Sequence, residues 1–308
     1  MQIPRSILIF AMATVLAIAG CGESEGAAEA GAAPAVGSGF NADRAFEDLR
    51  YQVELGPRPS GSEAAHQLAV WAAGELRDAG ADQVTIQKRW ENVVAVIPGN
   101  KPGHVLLGAH YDTKDDIPGF VGANDGASGV AVVLELARAL AADPRRPSIA
   151  IALFDAEEAR GDRSFEEDGT RGSEQYVRIS GRDGGKGVPR LRAIEAMVLF
   201  DLVGDCSLQI PRELSSDSRL YRRIQREGAT TLGASSPFGG TAVPILDDHI
   251  PFLEAGVAAV NLIDFTYGSS ESPGPFWHTP EDTIDKVCPA SLAKVGVVAL
   301  NVIPRLLK

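Results

Sequence analysis

The chain has 308 residues, 44% of them hydrophobic and 23% charged, which is enough for one sizeable domain with a buried core. Its formal net charge of -12 argues against nucleic acid or an anionic membrane face as partner, because both would repel it. After Cys21 only Cys206 and Cys288 remain, and the sequence leaves open whether they form one disulfide or stay as buried thiols.

Arg5 supplies a positive n-region, Ile7 to Ile18 forms an apolar h-region too short for a comfortable membrane span, and small residues lead to Cys21. The run Leu16-Ala17-Ile18-Ala19-Gly20-Cys21 resembles a bacterial lipobox. That resemblance implies cleavage before Cys21, a lipid on its thiol, and an exported protein tethered to a bacterial membrane on the periplasmic or cell-surface side. An ordinary secretory signal with a chance cysteine is the alternative. Residues 1–20 are thus expected to be a signal peptide, 21–39 a flexible Ala, Gly, Glu and Ser linker, and 40–308 a single folded domain, expected to be a monomer.

Apolar residues at helical spacing predict helices over Asn41 to Leu55 and Ser62 to Ala79. Val84 to Trp90 and Asn92 to Ile97 alternate or run apolar as strands do, with Glu91 and Asn92 as the turn. Val105 to Ala109 is a short strand, Gly129 to Ala142 a helix, and Ile149 to Phe154 a buried strand. Strands follow at Ala196 to Phe200 and Ala258 to Ile263, with helices at Ser216 to Leu232 and Pro289 to Leu307. This alternation predicts an α/β fold, a three-layer α/β/α sandwich around a mostly parallel twisted sheet. The functional crevice of such a fold lies at the carboxyl ends of the strands.

Polar residues collect at those ends. His110, Tyr111 and Asp112 follow the Val105 strand; Gly122-Ala123-Asn124-Asp125-Gly126-Ala127 leads into the next helix. Asp155, Glu157 and Glu158 follow Phe154, Asp201 follows Phe200, and Trp277-His278-Thr279 sits on a Gly, Ser and Pro-rich loop. Adjacent glutamates repel unless a cation compensates them, with one as ligand and the other free as a base. Taken singly each residue has a plainer role: Asp125 as a helix cap, Asp201 as a turn former, His110 and His278 as packed histidines. Together, imidazole and carboxylates make a site suited to zinc with an open coordination position.

His110-Tyr111-Asp112, Gly122-Ala123-Asn124-Asp125, Phe154-Asp155-Ala156-Glu157-Glu158, Asp201-Leu202-Val203-Gly204, Asp247-Asp248-His249-Ile250-Pro251-Phe252 and Trp277-His278-Thr279 resemble the motifs of zinc-dependent glutaminyl-peptide cyclotransferases. They also resemble the related co-catalytic zinc aminopeptidases, which share the zinc exopeptidase fold. The resemblance covers Phe40 to the C-terminus, in the family's order, and implies that 40–308 is a zinc-dependent catalytic domain. The doubled acid Asp247-Asp248 and the tryptophan before His278 are cyclotransferase-like. Two features depart from the animal cyclotransferases: Ala109 and Val130 stand where those enzymes have a disulfide, and the segment after Glu158 lacks their pocket-lining tryptophan.

By that resemblance Asp125, Glu158 and His278 hold one zinc, Glu157 moves the proton, Asp201 and Asp247 form a proton-sharing acidic network, and Trp277 walls the substrate, the N-terminus of a peptide or protein. The cyclotransferase reading converts N-terminal glutamine to pyroglutamate with release of ammonia. In the aminopeptidase alternative His110 and Asp201 add a second zinc, with Asp125 bridging, and Glu157 activates water. A third reading, an inactive surface binding module, predicts an eroded ligand set, whereas every candidate ligand and Glu157 are present. The resemblance also implies a cis peptide between Asp125 and Gly126.

Overall fold

The computed structural model describes residues 39–143 and 146–306. The expected signal peptide, Cys21 and the linker up to residue 38 lie outside the described residues. In chain order the elements are α1 (Ala42–Glu54), α2 (Glu63–Asp78), β1 (Asp82–Ile86), β2 (Val93–Ile97), β3 (Lys101–His110), α3 (Ala127–Ala141), β4 (Pro147–Phe154), α4 (Phe165–Asp168), α5 (Arg171–Arg182), β5 (Ile194–Asp201), α6 (Ser218–Leu232), α7 (Ile250–Glu254), β6 (Ala259–Ile263) and α8 (Pro289–Val302).

The strands form one sheet in the order β1-β2-β4-β3-β5-β6. β4, β3, β5 and β6 run parallel, while β1 and β2 add an antiparallel edge. The period-2 geometry of a strand sends alternate side chains to opposite faces, and β4 shows both faces buried. Ile149, Ile151 and Leu153 join the core beneath α1, α2, α3, α6 and α8, and Ala150, Ala152 and Phe154 join the core beneath α5 and α7. The α/β/α expectation therefore holds for the described residues.

Boundaries differ where side chains intervene. β1 ends at Ile86 rather than Trp90, because Asn92 is drawn inward to donate to Gln87 Oε1 and the carbonyl of Gly172, each at 2.8 Å. Helices α5 and α7, not expected from sequence, cover the second face of the sheet. Three helices start on side-chain caps: Asn41 accepts from the Arg44 amide, Ser62 from Ala65, and Asp217 from Arg219 and Leu220.

The peptide between Asp125 and Gly126 is trans, against expectation; the one cis bond among the described residues is Ser272-Pro273. The chain reverses there by another route. Gly126 takes φ +94° at the start of α3, a conformation open to glycine at little cost, whereas a cis bond before a non-proline residue costs about 3 kcal/mol. Within the first turn of α3, a Cβ at Gly129 would lie 2.0 Å from the carbonyl oxygen of Phe200, so glycine is needed for α3 to approach β5 this closely. That approach helps bring Asp125 and Asp201 together.

Candidate active site

The carboxyl ends of β3, β4 and β5 meet the loops bearing Asp125, Asp247 and His278 around a cavity of about 420 Å³. His110 is the last residue of β3; its Nε2 stands 3.2 Å from both Asp125 Oδ1 and Asp201 Oδ1. On the far side of Asp125, His278 Nε2 lies 3.5 Å from Oδ2 and 3.0 Å from Glu158 Oε1. Asp125 therefore turns one oxygen to each histidine. Two groups of donors result, His110 with Asp125 and Asp201, and Asp125 with Glu158 and His278, with ligand atoms within 4.8 Å of one another in each.

Positive backbone φ recurs at this rim. Ala156 (+57°), Leu202 (+47°) and His278 (+51°) are non-glycine residues in the left-handed region, the first two next to Glu157 and Asp201. Such conformations cost of order 1–3 kcal/mol each, so their clustering here marks loops aimed at the expense of local comfort.

The electrostatics are one-sided. Burial pushes Glu157 well above the ordinary glutamate value; His110 opposes this, while Glu158, Asp247 and Asp248 add to it. Burial likewise lifts Glu158 to about 6, opposed by His278 and reinforced by Asp125. Asp247 is raised well above the carboxylate range by burial, Asp201 and Asp248, and Asp248 reaches about 7 through burial. Asp125 alone is held low: burial would raise it, but His110, His278 and Arg58 outweigh that effect. His110, against its own burial, is raised by Glu157, Asp112, Asp125 and Asp201. Asp125 Oδ2 is buried with no hydrogen-bond partner. Crowded buried carboxylates, with Asp125 set between two imidazoles and its Oδ2 without a hydrogen-bond partner, fit a divalent cation, and an N/O donor set of this kind suits zinc.

Every sequence-predicted site residue lines or adjoins the cavity: His110, Asp125, Glu157, Glu158, Asp201, Asp247, Trp277 and His278. Trp277 stacks on His278 with centroids 3.9 Å apart and meets Phe265 edge-on at 5.0 Å. Phe165, at the start of α4, joins that apolar wall with Ile245 and Leu246. The chain thus places an aromatic ring at the cavity from the very segment that lacks the expected tryptophan. Asp247 is fixed by Asn261, whose Nδ2 donates to its Oδ2 at 2.6 Å, and by the amide of Asp248.

Residues beyond those predicted hold the donors in place. Asp112 accepts the amides of Glu157 at 3.1 Å and Glu158 at 3.2 Å, one on each oxygen, and so pins both glutamates. Its position two residues after His110 was the available signal. Asp282 accepts the amides of Asn124 and Asp125, a pairing that no local pattern announces. Cys206 and Cys288 form a disulfide, which settles the alternative left open by sequence and joins the segment after Asp201 to the segment after Asp282.

Comparison with known proteins agrees with this geometry. The family model described as peptidase family M28 matches residues 92–303. The glutaminyl-peptide cyclotransferase-like protein of Mus musculus is 33% identical over 215 residues, covering 62% of this chain and 54% of that protein. Aminopeptidase YwaD of Bacillus subtilis is 32% identical over 203 residues, covering 63% of this chain and 39% of its own length. The chain thus spans about half, or less, of these two relatives. Among solved structures, an Acidobacteriales bacterium glutaminyl cyclase superposes with TM-score 0.75 at 28% identity, covering 86% of this chain and 95% of that one. The Porphyromonas gingivalis glutaminyl cyclase gives TM-score 0.74 at 29% identity, with 86% and 98% covered. With the fold, the donor geometry and the matched residues in agreement, the chain belongs to peptidase family M28.

Proposed function

We propose that the protein is a zinc-dependent glutaminyl-peptide cyclotransferase, which closes an N-terminal glutamine into pyroglutamate and releases ammonia. The observation that carries this reading is the joining of three buried acids, Glu157, Asp201 and Asp247, to an apolar wall led by Trp277 around one cavity. The likeness to glutaminyl cyclases in sequence and structure supports it.

Asp125, Glu158 and His278 would hold the zinc. When bound, the ion supplies Lewis acidity toward the side-chain amide carbonyl of the substrate. Trp277 and Phe265 would bind the glutamine side chain and exclude water from it. The α-nitrogen of the substrate attacks its own δ-carbonyl carbon, and Glu157 takes a proton from that nitrogen. The carbon–nitrogen bond to the amide nitrogen then breaks, and Glu157 hands its proton to the departing group, which leaves as ammonia. No outside nucleophile enters, so holding the substrate in the ring-closing conformation is the main catalytic task. Asp201 and Asp247 would share a proton, since closely placed buried carboxylates do not all ionise cheaply.

A second reading, a di-zinc aminopeptidase, is favoured by the His110, Asp125 and Asp201 group and by the likeness to the Bacillus subtilis aminopeptidase. Two peptides differing only in an N-terminal glutamine or leucine, offered to the zinc-loaded protein and followed by mass spectrometry, separate the two. Loss of ammonia from the glutamine peptide with the leucine peptide intact supports the cyclotransferase; release of leucine overturns it. We further propose that the chain is exported and tethered through a lipid on Cys21. Among the described residues no helix is long and apolar enough to cross a membrane. Metabolic labelling with a fatty acid that is lost in Cys21→Ala tests the tether.

A further inference from the structure

Asp282 takes no part in the chemistry above, yet both its carboxylate oxygens are engaged. It is fully buried on the loop that carries His278. Oδ1 accepts the amide of Asn124 at 2.8 Å and the hydroxyl of Tyr267 at 2.7 Å, and Oδ2 accepts the amide of Asp125 at 3.0 Å. Its backbone joins the same two loops: the amide of Ala123 donates to its carbonyl at 3.4 Å, and its own amide donates to the carbonyl of Thr279 at 3.1 Å. Amide-to-carboxylate bonds are among the stronger hydrogen bonds, and their buried setting strengthens them further.

The opposite side of the Asp125 loop is braced as well. Arg58, fully buried, donates from its guanidinium to the carbonyls of Val121 at 2.8 Å and Gly122 at 3.1 Å. Between these contacts the chain is tight. Gly122 has φ +54°, and a Cβ on it would come within 2.3 Å of the carbonyl oxygen of Asp125. The loop is gripped by a cation on its carbonyls and an anion on its amides, and the anion belongs to the loop that supplies His278.

We propose that Asp282 is a positioning residue that sets Asp125 against His278, braced by Arg58, so that the Asp125, Glu158 and His278 donors are preorganised for a divalent cation. This rests on the ligand set proposed above. A donor loop already in place pays no ordering entropy when the ion arrives, and partners beyond the ligands commonly carry 10–100-fold in metal affinity.

Asp282→Asn keeps the side chain's volume but leaves one oxygen to accept, so one of the two backbone amides loses its partner. Tyr267→Phe removes one donor to Asp282 and leaves the loop amides alone, which provides a milder variant should the first fold poorly. Zinc affinity of the metal-free proteins would be measured by competition with a chromophoric chelator, and melting temperatures taken with and without zinc. The expected result is zinc affinity lower by about 10–100-fold in Asp282→Asn and by a smaller factor in Tyr267→Phe, with a reduced gain in melting temperature on adding zinc. Wild-type zinc affinity in both variants would overturn the proposal. So would equal losses of melting temperature with and without zinc, which mark a loop anchor indifferent to the metal. A wild-type protein that takes up no zinc would overturn the ligand set itself, and the wild-type titration distinguishes that failure from the other two.

Discussion

Replacing Glu157 by glutamine isolates the proton-transfer role with little structural disturbance. The two side chains are nearly isosteric, and the backbone at 157 is pinned by Asp112 at 3.1 Å, independently of the side chain. Glu157 Oε2 stands 3.8 Å from His110 Nδ1 and outside the Asp125, Glu158 and His278 donor group, so zinc content should be unchanged. Loss of a positioned base costs about 10²–10⁴-fold. Burial, with Glu158, Asp247 and Asp248, raises Glu157 well above its ordinary value against the opposing pull of His110, which makes it a more basic proton acceptor than an ordinary glutamate. The expected kcat for ammonia release from a glutaminyl peptide is therefore lower by about 10³-fold or more, roughly 4 kcal/mol of barrier, with KM within about threefold. Because Glu157→Gln removes a charge from a crowd of like charges, its melting temperature should equal or exceed that of the wild type. Steady-state kinetics with zinc analysis of the same preparation is the assay. A kcat within about tenfold of wild type at equal zinc content would refute the role given to Glu157.

The other tests reach different parts of the fold. Trp277 stacks on His278 at 3.9 Å, so Trp277→Ala is expected to raise KM by about tenfold with a smaller fall in kcat; an unchanged KM would remove it from the substrate wall. Chelation of the metal should lower the melting temperature by several degrees, reversibly on adding zinc, because the carboxylates around Asp125 then face one another uncompensated; no change would show that the site holds no metal. Away from the cavity, burial would raise Glu213, but His249, the Ser215 amide and Ser216 outweigh it and hold the carboxyl at about 2, below its ordinary 4.5. A carboxylate held low in the folded state contributes stability above its unfolded value, and that contribution is lost as pH falls. Glu213→Gln should accordingly be less stable than wild type at pH 7, with the gap closing between pH 4.5 and 2; parallel pH profiles in urea melts would contradict this.

Much of the molecule was legible from local pattern. The run Ile149 to Phe154 reads as a strand because both its faces are buried, leaving no polar alternation to confuse it with a surface segment. Most of the donors were legible because they follow closely on such a strand or lead into the next helix, whereas His278 was marked by the Trp277-His278-Thr279 motif on its loop. Helix α5 escaped notice because it buries little apolar surface, chiefly Tyr176 with Val177 and Ile179 beside it, and α7 because five residues are too few to show a period. Asp282 escaped because its partners are backbone amides 158 and 157 residues away.

The sequence by itself determined the chemistry available: which residues end the strands, that two glutamates adjoin in Glu157-Glu158, and that an aromatic residue precedes His278. Those are local properties, written in adjacent residues and in strand or helix periodicity. Tertiary structure alone decided how far apart the donors stand. The crossover that seats β4 between β2 and β3 brings Glu157 and Glu158 beside Asp112, and the Asp282 bonds bring Asp125 beside His278. Pairing of Cys206 with Cys288, and the turn at Gly126 made through positive φ on a trans peptide, were settled at the same level. Such distances follow from how strands order in the sheet and how buried amides find acceptors, both of which depend on residues far apart in the chain.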